Sequence, residues 1–112
     1  MTLSTEMAIE VAKRHYDAIV KGDFNEWLKT LKEEYRSQAN VRGSSIDFWW
    51  RTGRKMAELG VRYEFVRVDR IEEGYIKLFF KRIIGDNKQL GMPVPIHLVY
   101  ENSEWKVIQP TY

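Results

Sequence analysis

The chain contains no cysteine and only two histidines among its 112 residues. Without thiols there is no disulfide framework and no thiolate zinc site, a pattern that fits a reducing compartment. Charge of one sign is scarce as well: 18 basic residues face 16 acidic ones, for a net +2. That excess is too slight to imply a nucleic-acid or anionic-membrane surface. No apolar run approaches the roughly 20 residues needed to span a bilayer. The opening Met-Thr-Leu-Ser-Thr-Glu lacks the basic-then-apolar order of a secretory leader, so a cytoplasmic protein is expected. Phosphate-cradling glycine loops, nucleotide fingerprints and a Ser-His-Asp order are also missing.

What remains, 44% hydrophobic and 30% charged residues mixed along the chain, suits one folded domain over residues 1–112. A domain of this size buries roughly two-thirds of its unfolded surface in a single core. The second half reads as four strands, at 61–69, 75–84, 89–100 and 105–112, all rich in β-branched and aromatic residues. Short polar connectors at 72–74, 85–88 and 101–104 make consecutive strands antiparallel neighbours.

The first half reads as helices. Ala8, Val11, Ala12, His15 and Ile19 recur at three- and four-residue spacing, predicting a helix capped by Ser4 and ended by Gly22. Asp23-Phe24-Asn25-Glu26 has capping-box spacing and opens a second helix, with Phe24, Trp27, Leu28, Leu31 and Tyr35 along one side. Residues 36–44 form a loop that leaves room for a short strand at 38–41. Ser44 or Ser45 caps a third helix through Leu59, closed by Gly60. Gly53 inside it costs about 1 kcal/mol relative to alanine, so close approach to another backbone is expected. The fold class is therefore α+β, three N-terminal helices on a four-stranded antiparallel sheet.

Turn lengths then assign the faces. A two- or four-residue turn at Asp86-Asn87 sets Ile76 opposite His97 and Leu78 opposite Pro95. A three-residue turn before Tyr75 sets Glu64 opposite Arg82 and Val68 opposite Leu78. A two-residue turn at Asn102-Ser103 places Ile108 beside His97, and Trp105 and Val107 beside Tyr100 and Leu98. On this register the helix-facing row holds Val66, Val68, Leu78, Phe80, His97 and Ile108. The opposite row holds Tyr63, Phe65, Tyr75, Phe79 and Val94, continuing through Ile96, Leu98, Tyr100, Trp105 and Val107. Because that row is apolar and lies away from the helices, it is expected to meet a second copy of the chain in a symmetric homodimer, or else another protein.

Two stretches carry a resemblance: His15-Tyr16-Asp17-Ala18-Ile19-Val20-Lys21-Gly22-Asp23, and Val94-Pro95-Ile96-His97-Leu98-Val99-Tyr100 running on to Trp105-Lys106-Val107-Ile108. With the order of elements they resemble the nuclear transport factor 2-like superfamily, over nearly the whole chain. The resemblance implies a curved sheet wrapped around the helices as a cone, a cavity at the wide end, and frequent dimerisation through the outer sheet face. In ketosteroid isomerase-like members the oxyanion donor is a tyrosine, and His15 occupies that position here. The stretch Ser37-Gln38-Ala39-Asn40 lacks their general base, and Pro95 stands near their second acidic group, so the resemblance does not extend to steroid isomerisation. Dehydratase-like members combine histidine, aspartate and tyrosines, types supplied here by His15, His97, Tyr16 and Asp47.

His15 and His97 are expected to point inward from opposite walls, where two imidazoles could act as general acid and base. A metal would need a third inward ligand, which the sequence does not offer, and no cofactor is expected. Hydrogen-bonded packing is the commoner fate of a histidine on an apolar stripe. The candidate pocket comprises His15, Ile19, Trp27, Leu31 and Trp49 from the helices, with Val66, Leu78, Phe80, His97 and Ile108 from the sheet. Its expected occupant is a small apolar molecule or nothing. An enzyme of the dehydratase or isomerase kind is the competing function, and an interaction module using the outer face is a third. The basic cluster around Arg51, Arg54, Lys55, Arg62, Arg67 and Arg70 reads as a solvated face.

Overall fold

The computed structural model describes residues 3–112, with Leu3 through its backbone alone. Its elements are α1 (Leu3–Lys21), α2 (Phe24–Lys29), α3 (Glu33–Arg36), α4 (Ser45–Glu58), β1 (Arg62–Glu72), β2 (Tyr75–Ile84), β3 (Lys88–Gln89), β4 (Val94–Glu101) and β5 (Glu104–Gln109). The leader-free reading of residues 1–6 falls partly on Met1 and Thr2, outside the described residues. Ser4 lies within α1 rather than capping it.

The apolar stripe of α1 is buried as its spacing predicts, with Ala8, Ala12, His15 and Ile19 all inaccessible to solvent. Asp23 caps α2, its carboxylate accepting from the Glu26 amide at 3.2 Å, but the box does not close, since the Asp23 amide donates to the Ala18 carbonyl and Glu26 holds Lys29. The helix it opens is short. Residues 30–32 leave helical geometry to hydrogen-bond the free edge of β5: the Val107 amide donates to the Thr30 carbonyl at 2.7 Å, and the Lys32 amide to the Val107 carbonyl at 3.0 Å. Tertiary pairing thus overrides a helical period that runs unbroken from Phe24 to Tyr35. Four helical segments replace the expected three, and no strand forms at 38–41. Ser44 caps α4 by accepting from the Asp47 amide at 3.2 Å. Arg54 in turn caps α1, donating to the carbonyls of Ile19 at 2.6 Å and Val20 at 3.1 Å. At Gly53 an added Cβ would lie 2.5 Å from Ile19 Cγ1 and 3.2 Å from Tyr112 Cδ1. The close approach exists, and its partners are side chains rather than backbone.

The sheet is antiparallel, curved and open, in the order β1-β2-β4-β5, with β3 as a short fifth strand on β2. Its registers depart from the sequence expectation in an instructive way. The loop after β2 has three residues, since Ile84 pairs with Lys88, and Ile83 with Gln89. Two further residues are then absorbed before β4, which pairs Ile76 with Leu98, Leu78 with Ile96 and Phe80 with Val94. Three residues in place of two or four reverses strand parity, and inserting two more preserves the reversal. The β4–β5 register holds as expected through Leu98–Val107 and Tyr100–Trp105, then slips by one residue, so His97 pairs with Gln109 in place of Ile108. Both strands are therefore turned over together. Between β1 and β2 the two-residue turn Glu73-Gly74 starts a register that two irregularities, near Asp69 and Val66, shift one residue at a time. Val68 does face Leu78, while Glu64 faces Lys81 in place of Arg82.

The core consequently joins α1, α2 and α4 to Ile76, Leu78, Phe80, Ile96, Leu98, Trp105 and Val107. Burying each large aliphatic or aromatic side chain of this set stabilises the fold by roughly 1.5–3 kcal/mol. The expected interface row is corrected accordingly. Val94, Ile96, Leu98, Trp105 and Val107 lie in the core, Phe65 packs on Phe80 at 5.6 Å between ring centroids, and Tyr63 stacks on Tyr16 at 4.3 Å. Tyr100 shares the side of Trp105, at the sheet's end. Tyr75 and Phe79 keep the outer side. They are joined there by Pro95, His97, Val99 and Ile108, and Val66 is thrown outward at the irregularity.

Candidate functional site

His15 sits at the centre of the helix-facing core, wholly buried. Helix α1 supplies it, α2 presents Trp27, the α2 C-terminus presents Thr30, and the chain after β5 returns Tyr112. The Tyr16 hydroxyl anchors that last segment by donating to the Thr111 carbonyl at 3.0 Å. Every polar hydrogen of the cluster can be placed. Thr30 Oγ1 donates to the Trp27 carbonyl at 2.6 Å, so it must accept from His15 Nδ1 at 2.7 Å. The proton is therefore on Nδ1 and Nε2 is bare. Nε2 accepts from the Tyr112 hydroxyl at 2.6 Å, and that hydroxyl oxygen accepts from Trp27 Nε1 at 2.9 Å. Trp27 Nε1 also lies 3.2 Å from Nε2. A closed circuit results, leaving and re-entering through Trp27.

This arrangement favours neutrality. Burial lowers the His15 pKa to about 3, and burial likewise raises that of Tyr112 well above the usual phenol value. An imidazole needed to exchange protons near neutral pH is poised near 7, and one with both nitrogens occupied in a dry core is not. Its geometry ties three segments distant in sequence into one point. The residues that complete it, Thr30 and Tyr112, went unforeseen. Their only sequence signals were a threonine in a helical period and a terminal aromatic beyond a proline.

His97 lies elsewhere. The reversed parity of β4 sends it to the outer face, half-buried, with Nδ1 2.5 Å from the Tyr75 hydroxyl. Its pKa is lowered by burial and then by the neighbouring charges of Lys77 and Arg70. The two histidines are thus separated by the thickness of the sheet and cannot converge on one substrate, which removes the paired acid–base reading. Among the described residues no group of three or more His, Asp or Glu side chains is arranged to hold a metal. No helix among them is long and apolar enough to cross a membrane.

Of the other expected pocket residues, Ile19, Trp27, Leu31, Leu78 and Phe80 come together as solid core. Trp49 is half-buried against Tyr35, with ring centroids 5.1 Å apart. Val66, at 42% exposure, and Ile108 do not reach them. Open clefts lie to the side. One of about 410 Å³ separates α1 from β1 and β2, beside Tyr16, Tyr63, Phe65 and Phe80. A larger one of about 650 Å³ runs between α1, the α2–α3 region and the start of β5. Of the expected pocket residues only Phe80 lines either.

No protein-family model and no curated protein matches the sequence. Solved structures do match its fold. A protein of unknown function with a cystatin-like fold from Nostoc punctiforme superposes with a TM-score of 0.67 at 14% identity, over 96% of this chain and 88% of that one. A candidate dehydratase from the NTF2-like family of Streptomyces avermitilis gives 0.59 at 11% identity, over 93% and 90%. An NTF2-like protein of unknown function from Shewanella oneidensis gives 0.56 at 12%, over 92% and 93%. Together with the helices laid on a curved antiparallel sheet, these likenesses identify the architecture: the chain has a cystatin-like fold similar to that of NTF2-like proteins.

Proposed function

We propose that this is a non-catalytic cytoplasmic protein that assembles as a homodimer through the outer face of its sheet. The observation that carries the reading is that β2, β4 and β5 present Phe79, Pro95, Val99 and Ile108, all only half-buried, on a side that no helix covers. The molecule is a slab, 36 × 35 × 18 Å between Cα extents, so a second layer is present on one side of the sheet only. Antiparallel sheets with an apolar second face commonly bury it against another sheet.

Charge on this face permits a second copy. Asp69 holds both Lys77 at 3.3 Å and Arg67 at 3.6 Å, and Glu64 holds Lys81 at 3.7 Å. The charged heads of Arg67 and Lys77 also lie over the Phe79 ring, at 4.4 and 5.0 Å from its centroid. Two identical faces would meet with part of their positive charge paired to Asp69 and Glu64. Edge-to-edge pairing is less suited, because β1 is interrupted by irregular registers and the free edge of β5 is taken by residues 30–32.

Sedimentation of the wild type and of Phe79→Glu at micromolar concentration tests the reading. A wild-type dimer that becomes a folded monomer on substitution supports it. A wild-type monomer overturns it, and would assign the face to a different protein.

A further inference from the structure

The larger cleft has a composition that selects a ligand. Its floor is apolar, made of Val11 and Trp105, both nearly buried, with Met7 beside them at 48% exposure. Its walls are charged, and most of those charges are already paired. Glu26 holds Lys29 at 3.0 Å, Glu104 holds Lys106 at 3.1 Å, and Glu10 lies 3.9 Å from Lys13. Lys106 also donates to the Lys29 carbonyl at 2.8 Å. Two guanidinium groups, those of Arg14 and Arg36, are left without an ion pair among the described residues, against the single carboxylate of Glu6. Arg36 Nε is moreover buried with no hydrogen-bond partner. A buried unpaired donor costs about 1–3 kcal/mol, and more when charged, so the Arg36 guanidinium is short of acceptors at the cleft wall.

We propose that this cleft binds a small amphipathic carboxylate, its apolar tail on Trp105, Val11 and Met7 and its head on the guanidinium groups of Arg36 and Arg14. A volume of about 650 Å³ falls within the range of small-molecule sites. The planar guanidinium fork matches a carboxylate better than it matches a hydroxyl, which gives the site its preference for the acid. The lining holds four carboxylates and four cations, so its preference for an acid comes from the two guanidinium groups that lack an ion pair rather than from net charge. None of these residues belongs to the outer-face set of Phe79, Pro95, Val99 and Ile108, so the site and the self-association stand or fall separately.

Titration with decanoate, followed by the indole N–H resonance of Trp105, tests the proposal. That indole donates to Ser4 Oγ at 3.2 Å and sits at the cleft floor. Saturable displacement of the resonance by decanoate is expected, with decanol weaker by about tenfold, the worth of a charge-assisted hydrogen bond. Arg36→Gln and Arg14→Gln should each weaken decanoate by a similar factor, whereas Lys55→Gln, exposed on α4 and outside the lining, should not. Amide spectra of each variant confirm that it is folded. Equal affinity for decanoate and decanol, indifference to the arginine substitutions in folded protein, or no saturable change at Trp105 would each overturn it.

Discussion

A single imidazole is the most constrained group in this molecule. His15 has both nitrogens committed, and the partner hydroxyls are committed in turn, so removing any member costs buried hydrogen bonds. Tyr112→Phe deletes the donor to His15 Nε2 and the principal acceptor for Trp27 Nε1 while leaving the ring in place. It should destabilise the fold by roughly 1–2 kcal/mol, because the bonds of the hydroxyl are lost while Trp27 Nε1 keeps His15 Nε2, 3.2 Å away, as its acceptor. Chemical denaturation checks this, and a loss below about 0.5 kcal/mol would show that the circuit is not intact. His15 also sets an acid limit. Its folded-state pKa, about 3, lies below the 6.5 of a free imidazole, so between those values the unfolded chain holds a proton that the folded chain refuses. Stability from this group is fully present above pH 6.5 and falls as pH drops towards 3, by roughly 4–5 kcal/mol over the window. His97, also lowered, acts in the same direction. Melting temperature should therefore decline between pH 6.5 and 5, above the range where exposed carboxylates titrate. A flat profile there would contradict a neutral, buried His15.

At the scale of elements, periodicity was readable and turn chemistry was not. The α1 stripe, the caps at Asp23 and Ser44 and the strands β2, β4 and β5 all follow from local spacing, which tertiary contacts here reinforce. Two things escaped local spacing. Helix α2 stops at Lys29 because residues 30–32 gain hydrogen bonds from a strand more than seventy residues onward, a partner that no short window contains. The β2–β3 loop takes three residues because Gly85 and Asn87 accept positive φ, at 58° and 64°, and the chain then spends two more around Gly91 before β4. A loop differing by one residue looks the same in composition and reverses a whole strand pair. Gly53 illustrates the converse, a residue whose constraint sequence could flag without naming its partner. Gly53→Ala gains helix propensity of about 1 kcal/mol but drives a methyl into Ile19, whose side chain is itself enclosed. Overpacking should win, for a net loss of roughly 1–2 kcal/mol in thermal or chemical unfolding. A stabilised variant would mean that α4 stands farther from α1 than described.

For the molecule as a whole, the reversed strand pair exchanges what is core and what is surface without disturbing the architecture. Tyr75 and Phe79 remain outside as expected, since β2 alternates independently of the loop that follows it. The residues of β4 and β5 change places, which converts His97 from a cavity residue into a surface one and Leu98, Trp105 and Val107 into core. The candidate catalytic pair dissolves for the same reason, and what was expected to be an apolar pocket is packed around the His15 circuit. The charged cleft beside α1 was invisible in the sequence, because its floor and its two unpaired arginines come from three separate elements, α1, α3 and β5. All of this depends on one histidine being locked inside and the other standing on the opposite face. Nitrogen-resolved NMR of the two imidazoles across pH 4–8 tests that most directly. The account predicts that His15 stays neutral with its proton on Nδ1 from pH 8 to below 5, while His97 titrates alone beneath its usual value. Two coupled titrations near neutrality would contradict it.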